Sequence, residues 1–180
     1  MVTILAFGGA HIDKRGTLQS PFTPGSSHPG IWREEAGGGA FNAARNLSRL
    51  GHQVIFISPR GGDGAAEIVS IAAEVAGIDD RPFTFLDRKT ASYTAILDNS
   101  GNLVVGLADM ALYDLFTPRR LRIRSVRNSF DICDAVLIDA NLPSETLLAI
   151  AKLGKEKGKL IAALGISPAK VGRLKNALPF

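Results

Sequence analysis

The 180 residues contain one cysteine, Cys133, so no disulfide can close within the chain, and a disulfide-stapled secreted scaffold is excluded. A reducing, cytoplasmic home is the expectation that follows. Cys133 lies in the apolar-leaning run Phe130–Ala135 and reads as a small buried side chain. No stretch approaches the roughly 20 consecutive apolar residues that span a bilayer. The start, Met1-Val2-Thr3-Ile4-Leu5-Ala6-Phe7, lacks the basic region of a signal peptide and reads as a first strand. Histidine is sparse, and His11, His28 and His52 show no metal-ligand spacing, which argues against a zinc site. No aromatic residue interleaves the basic stretch Arg119, Arg120, Arg122, Arg124 and Arg127, so it reads as a solvated helix face, not a nucleic-acid surface. No Gly-Lys-Ser/Thr follows the glycine runs, which excludes a P-loop, and no complete dinucleotide fingerprint follows the first strand.

What is present is an ordinary globular balance. Hydrophobic residues make up 46% and charged residues 21%, enough apolar material for a core and too much for general disorder. The length suits one domain or part of a larger one. The net charge of +4 suits an anionic ligand but says nothing about fold.

The pattern along the chain alternates strand and helix. Val2–Phe7 is a buried parallel strand closed by Gly8-Gly9. Residues 16–30, rich in Gly, Pro and Ser, read as a loop. Residues 31–35 fit a short strand, and Gly37-Gly38-Gly39 breaks the pattern. Ala40–Leu50 has helical spacing of Phe41, Ala44, Leu47 and Leu50, ended by Gly51. Val54–Ile57 is a strand and Ala65–Ala76 a helix. Residues 81–86, 91–97 and 103–107 are strand-like, with Asp98-Asn99-Ser100-Gly101-Asn102 as hairpin chemistry. They predict a small antiparallel subsheet inserted in an α/β body. A helical stretch to Phe130, a strand at 135–139, a helix at 143–157, a strand at 160–164 and a helix at 168–177 complete the pattern.

Polar residues collect where strands end. In open α/β sheets, ligands bind beyond the carboxyl ends of the strands. Asp13 follows the first strand; it suits ligand hydroxyls, or caps a turn. Gly38, Gly39 and Asn42 open a helix, where backbone approaches a ligand closely and N–H donors are free, or where the chain simply turns. Asp63, in Gly61-Gly62-Asp63-Gly64, is either a ligand group or an N-cap. Asp139 and Asn141 end a later strand, and Asp109-Met110 follows the subsheet. Thr90, Ser92 and Tyr93 either face a ligand or are ordinary β-formers.

The order of these motifs resembles that of the PfkB-type, ribokinase-like carbohydrate kinases. The matching pieces are Gly9 to Asp13, Gly37 to Asn42, Arg49-Leu50-Gly51 and Gly61-Gly62-Asp63. Within that family, Thr90-Ala91-Ser92-Tyr93, Asp109-Met110 and Asp139-Ala140-Asn141 are similar to the pseudouridine kinases. The resemblance covers nearly the whole chain. It implies a ribokinase-like three-layer α/β/α sandwich with a small antiparallel β lid, formed by strands at about 31–35 and 81–107, with residues 1–180 as the N-terminal part of the domain. It implies ATP-dependent phosphorylation of a sugar or nucleoside hydroxyl, with Mg²⁺ and, as an option, K⁺. The substrate-binding set would be Asp13, Gly38, Gly39, Asn42, Ser92, Asp109 and Asn141, with Asp139 and Asn141 toward phosphate transfer.

Three departures stand out. Ala40 replaces a usual glycine, Ala163-Leu164 stands where Asp-Pro is usual, and the Gly-Ala-Gly-Asp segment that carries the family's base is absent. The expectation is therefore a substrate-binding half, inactive alone, whose base and adenine region lie beyond Phe180. A non-catalytic sugar- or nucleoside-binding module is the alternative, and a nucleotide-binding oxidoreductase domain a distant third. A small-molecule partner, no nucleic acid, no membrane, and a homodimer through the lid or an exposed sheet edge complete the expectations.

Overall fold

A computed structural model describes residues 1–180. In chain order the elements are β1 Thr3–Phe7, β2 His11–Leu18, β3 Gly30–Gly37, α1 Gly39–Arg49, β4 Gln53–Ile57, β5 Pro59–Gly61 and α2 Gly64–Val75. They continue with β6 Asp79–Asp80, β7 Phe83–Phe85, β8 Ser92–Leu97, β9 Leu103–Asp109, α3 Arg124–Ile132, β10 Ala135–Asp139, α4 Ser144–Glu156, β11 Leu160–Leu164 and α5 Pro168–Val171. No helix is long and apolar enough to cross a membrane.

The body is a five-stranded sheet in the order β11-β10-β1-β4-β6, with every neighbouring pair parallel. Side-chain alternation along its strands creates two cores. Leu5, Phe7, Ile55, Ile57, Val136 and Ile138 face one way and pack with Val126 and Phe130 of α3 and Leu147 and Ile150 of α4. Ile4, Ala6, Val54, Phe56 and Leu137 face the other way and pack with Ala40, Phe41 and Ala44 of α1 and Val69 and Ala73 of α2. Helices on both faces make the three layers of a ribokinase-like α/β/α sandwich. Each large side chain buried this way contributes about 1.5–3 kcal/mol.

The lid differs from its sequence expectation in membership and direction. It has four strands in the order β3-β2-β8-β9. Residues His11–Leu18, expected as a turn and loop, pair along their length with β3 on one side and β8 on the other. Their pattern, His-Ile-Asp-Lys-Arg-Gly-Thr-Leu, has little apolar alternation, so the strand rests on pairing and not on burial. The outer pairs are antiparallel and the central β2–β8 pair is parallel. The lid sheet is therefore mixed. Residues 81–86 are outside it. Arg81 N–H donates to the Phe56 carbonyl at 2.8 Å and Phe83 N–H to that of Ser58 at 2.9 Å, so this segment follows the edge of the body, with β7 parallel to β5. The Asp98 turn is as expected: its Oδ1 accepts the N–H groups of Ser100 and Asn102, each at 2.8 Å.

Two helical expectations also shift. The basic stretch is a short 3-10 turn, Pro118–Arg122, before α3 begins at Arg124. The last helix is one turn of α, Pro168–Val171, followed by a 3-10 turn at Gly172–Leu174.

Candidate functional site

A cleft of about 580 Å³ lies between the lid and the carboxyl ends of the body strands. The body contributes Gly38, Gly39 and Asn42 from the start of α1, Asn141 after β10, and Ile166, Ser167 and Lys170 after β11. The lid contributes His11, Asp13, Tyr93, Ala108 and Met110.

Register explains which lid residues face in. Asp13 pairs with Tyr93, and Tyr93 with Ala108, in one row across the sheet. Ile12, Ser92 and Asp109 form the adjacent row, whose side chains point to the opposite face. Asp13, Gly38, Gly39, Asn42 and Asn141 are thus brought together, whereas Ser92 and Asp109 are not among the residues lining the cleft. Their neighbours Tyr93 and Met110 take those places.

Asp139 lies beneath the floor, fully buried. Its Oδ2 accepts the N–H of Gly9 at 3.0 Å, the N–H of Ala40 at 2.8 Å and Nδ2 of Asn141 at 3.0 Å, while Oδ1 accepts the N–H of Asn141 at 2.9 Å. Burial pushes this carboxyl above the usual carboxylate range, and those donors oppose the push. A negative group also suits the positive end of α1. The N–H groups expected to be free at this helix start are accordingly engaged: Ala40 with Asp139, and Phe41 with the Gly9 carbonyl at 3.3 Å.

Gly38 has φ 115 at the strand-to-helix junction, and a Cβ there would press into the Gly9 backbone. Only glycine permits both the left-handed φ and the approach.

Asp63 is an N-cap outside the cleft. Its carboxylate accepts from Ala66 N–H at 3.2 Å, from the Thr90 hydroxyl at 2.6 Å and from Thr90 N–H at 3.0 Å. It ties α2 to the base of the lid. Cys133 is buried, as expected, and burial pushes its thiol up.

Lys170 was not foreseen from the sequence. Its Nζ donates to Oδ1 of Asn141 at 2.7 Å, and Arg173 Nη1 donates to the Asn141 carbonyl at 2.9 Å. Burial lowers the Lys170 ammonium, and the neighbouring Arg173 lowers it further. The usable signal was position, since Lys170 follows the carboxyl end of a parallel strand. Ile166 beside it has φ 64, a left-handed conformation that is rare for a β-branched residue.

The arrangement offers a carboxylate and amides suited to hydroxyls, with the Lys170 cation beside the Asn141 amide. No three His, Cys, Asp or Glu side chains gather around a point that would hold a metal.

A carbohydrate kinase from Agrobacterium tumefaciens superposes on this chain with a TM-score of 0.95 and 58% sequence identity, over 99% of this chain and 58% of its own. An uncharacterized sugar kinase of Escherichia coli, YeiI, is 29% identical over 95% of this chain and 46% of its own length. The pseudouridine kinase of the same organism is 26% identical over 80% of this chain and 46% of its own. The chain spans about half the length of these curated relatives. The model of the pfkB family carbohydrate kinases matches residues 1–178, and the chain belongs to that family.

Proposed function

We propose that residues 1–180 are the substrate-recognition half of a kinase that transfers the terminal phosphoryl group of ATP to a hydroxyl of a sugar or nucleoside. The observation that carries this reading is the convergence of Asp13 from the lid with Asn42 and Asn141 from the body around one cleft. A polyol ligand is held well by such acceptors and amides, because each hydroxyl both donates and accepts. Tyr93 and Met110 supply apolar contact for a ring. Lys170 marks the end where an anionic group would be met.

Phosphoryl transfer depends chiefly on positioning and electrostatic stabilisation. In this reading the lid and α1 do the positioning. Asp13 is the one carboxylate lining the cleft, and it faces His11 at 3.2 Å. In this reading Asp13 binds substrate hydroxyls, Asp139 and Asn141 lie toward the phosphate side, and ATP with Mg²⁺ serves the kinase as a whole. By the same reading the chain alone binds substrate without turning it over, in the cytoplasm. It also self-associates through the outer face of the lid. There Trp32 and Val105 are 50% and 54% exposed, beside the cross-strand pair Lys14 and Glu34. A patch with one charge of each sign is self-complementary about a two-fold axis.

Isothermal titration of the chain with pseudouridine and with ribose tests the reading. Saturable heat with one of them, lost in Asn42→Ala, is expected. Absence of heat with both, in a folded sample, would remove it.

A further inference from the structure

The carboxylate of the cleft is held by a chain of two further side chains. Asp13 Oδ1 lies 3.2 Å from His11 Nε2, and His11 Nδ1 lies 2.8 Å from the Tyr113 hydroxyl. His11 and Asp13 are two residues apart in β2, so their side chains share the cleft face of the lid. Tyr113 comes from the 3-10 turn Ala111–Leu115 that follows β9. His11 and Tyr113 are both buried.

Burial holds the Tyr113 phenol well above its usual range, and the Asp139 charge adds to that. The phenol thus keeps its proton. The one hydrogen-bond partner of its oxygen is His11 Nδ1 at 2.8 Å, so the phenol proton is directed there. A neutral imidazole has one N–H. With Nδ1 accepting, that N–H is on Nε2 and faces the carboxylate. The other tautomer would turn an Nε2 lone pair toward Asp13 and leave the phenol proton without an acceptor, a costly arrangement for buried groups.

We propose that His11 is a positioning residue for Asp13, with Tyr113 setting its tautomer. The Nε2–H is turned toward Oδ1 across the 3.2 Å contact and leaves Oδ2 and the remaining lone pairs for ligand hydroxyls. Gly37, opposite His11 in the β2–β3 register, provides the room, since a Cβ there would overlap Asp13 Oδ2. The role of Asp13 toward a ligand rests on the sugar- or nucleoside-binding reading; the tautomer of His11 does not.

Two measurements on the 180-residue chain separate these layers. NMR of the ring nitrogens, without ligand, is expected to show His11 protonated at Nε2 and bare at Nδ1, with the preference relaxed in Tyr113→Phe. A ring protonated at Nδ1, or an even mixture in the wild type, overturns the proposal. In titrations with pseudouridine and ribose, His11→Ala is expected to weaken binding about ten-fold, the scale of one charge-assisted hydrogen bond. Tyr113→Phe is expected to weaken it less, and to add nothing in the His11→Ala background. Unchanged affinity in both single variants overturns the positioning role. Tyr113→Phe keeps the ring and its packing, so it stays informative if His11→Ala is poorly folded. If the wild type binds neither sugar, the functional reading falls, while the nitrogen spectra still decide the His11 geometry.

Discussion

The Ala40 N–H donates to Asp139 Oδ2 at 2.8 Å, so the carboxylate that ends β10 also anchors the first turn of α1. The same oxygen reaches Gly9 after β1. One buried side chain therefore sets the spacing of three cleft-forming segments.

Asp139→Ala would leave buried donors at Gly9, Ala40 and Asn141 without acceptors. Each orphaned group costs about 1–3 kcal/mol, so a loss of at least about 3 kcal/mol is expected. Urea unfolding of the variant beside the wild type measures it, and a loss below about 1 kcal/mol would show that the donors find other partners.

Asp63→Ala removes the cap of α2 and is expected to cost about 1 kcal/mol. Its pH dependence has a definite sign. Partial burial pushes the Asp63 carboxyl up, but the bonds from Thr90 and Ala66 outweigh it, and the folded value lies below the usual one. The contribution is complete above the unfolded value of about 4 and is lost as pH falls through the lower folded value. Thermal melts of wild type and variant should converge on acidification below about pH 4. A gap that stays constant there would show that the charge of Asp63 is irrelevant to the cap.

Ile166→Gly relieves a left-handed β-branched residue whose Cδ1 fills the space that a Cβ on Gly39 would need. Relief of about 1–3 kcal/mol is partly offset by the greater freedom of glycine in the unfolded chain. A net gain of up to about 1 kcal/mol is expected, with a wider cleft. Destabilisation in the melt would instead assign Ile166 a packing role that exceeds its strain.

The outer lid face should drive self-association. Light scattering is expected to give a dimer, and Trp32→Glu combined with Val105→Lys a monomer. A wild-type monomer at high concentration would count against this surface.

The body was largely legible in the sequence, because β1, β4 and β10 are short apolar runs and α1 has a clear apolar face. The lid was not. β2 is a strand by virtue of its neighbours, and no periodicity of its own announces it. Residues 81–86 looked like a lid strand because aromatic and β-branched residues suit any pleated surface; backbone bonds to Phe56 and Ser58 decide otherwise. In the cleft, Asp13, Asn42 and Asn141 were visible from their place after strands. The choice of Ser92 over Tyr93 depended on which face of β8 turns inward, and that is settled by the β2–β8 register, which pairs residues 80 positions apart in sequence. Lys170 and the buried Arg60, bonded to Asp80 at 3.0 and 3.3 Å, carry no motif at all. Only the fold gives them partners.

The short link between β1 and β2 has a mechanical consequence. Gly8, Gly9 and Ala10 alone separate a strand of the body from a strand of the lid, so any rotation of the lid about this link would have a short arm at Asp13 and a long one at Leu18. At about 3.3 Å per residue, Asp13 sits roughly 13 Å along the arm from Gly9 and Leu18 roughly 30 Å. A rotation of about 10° there would carry Leu18 some 5 Å while displacing Asp13 by only about 2 Å. The group nearest the chemistry is on the short arm, and large excursions belong to the far tip. A distance probe placed at Leu18 would magnify movements that the cleft itself barely registers.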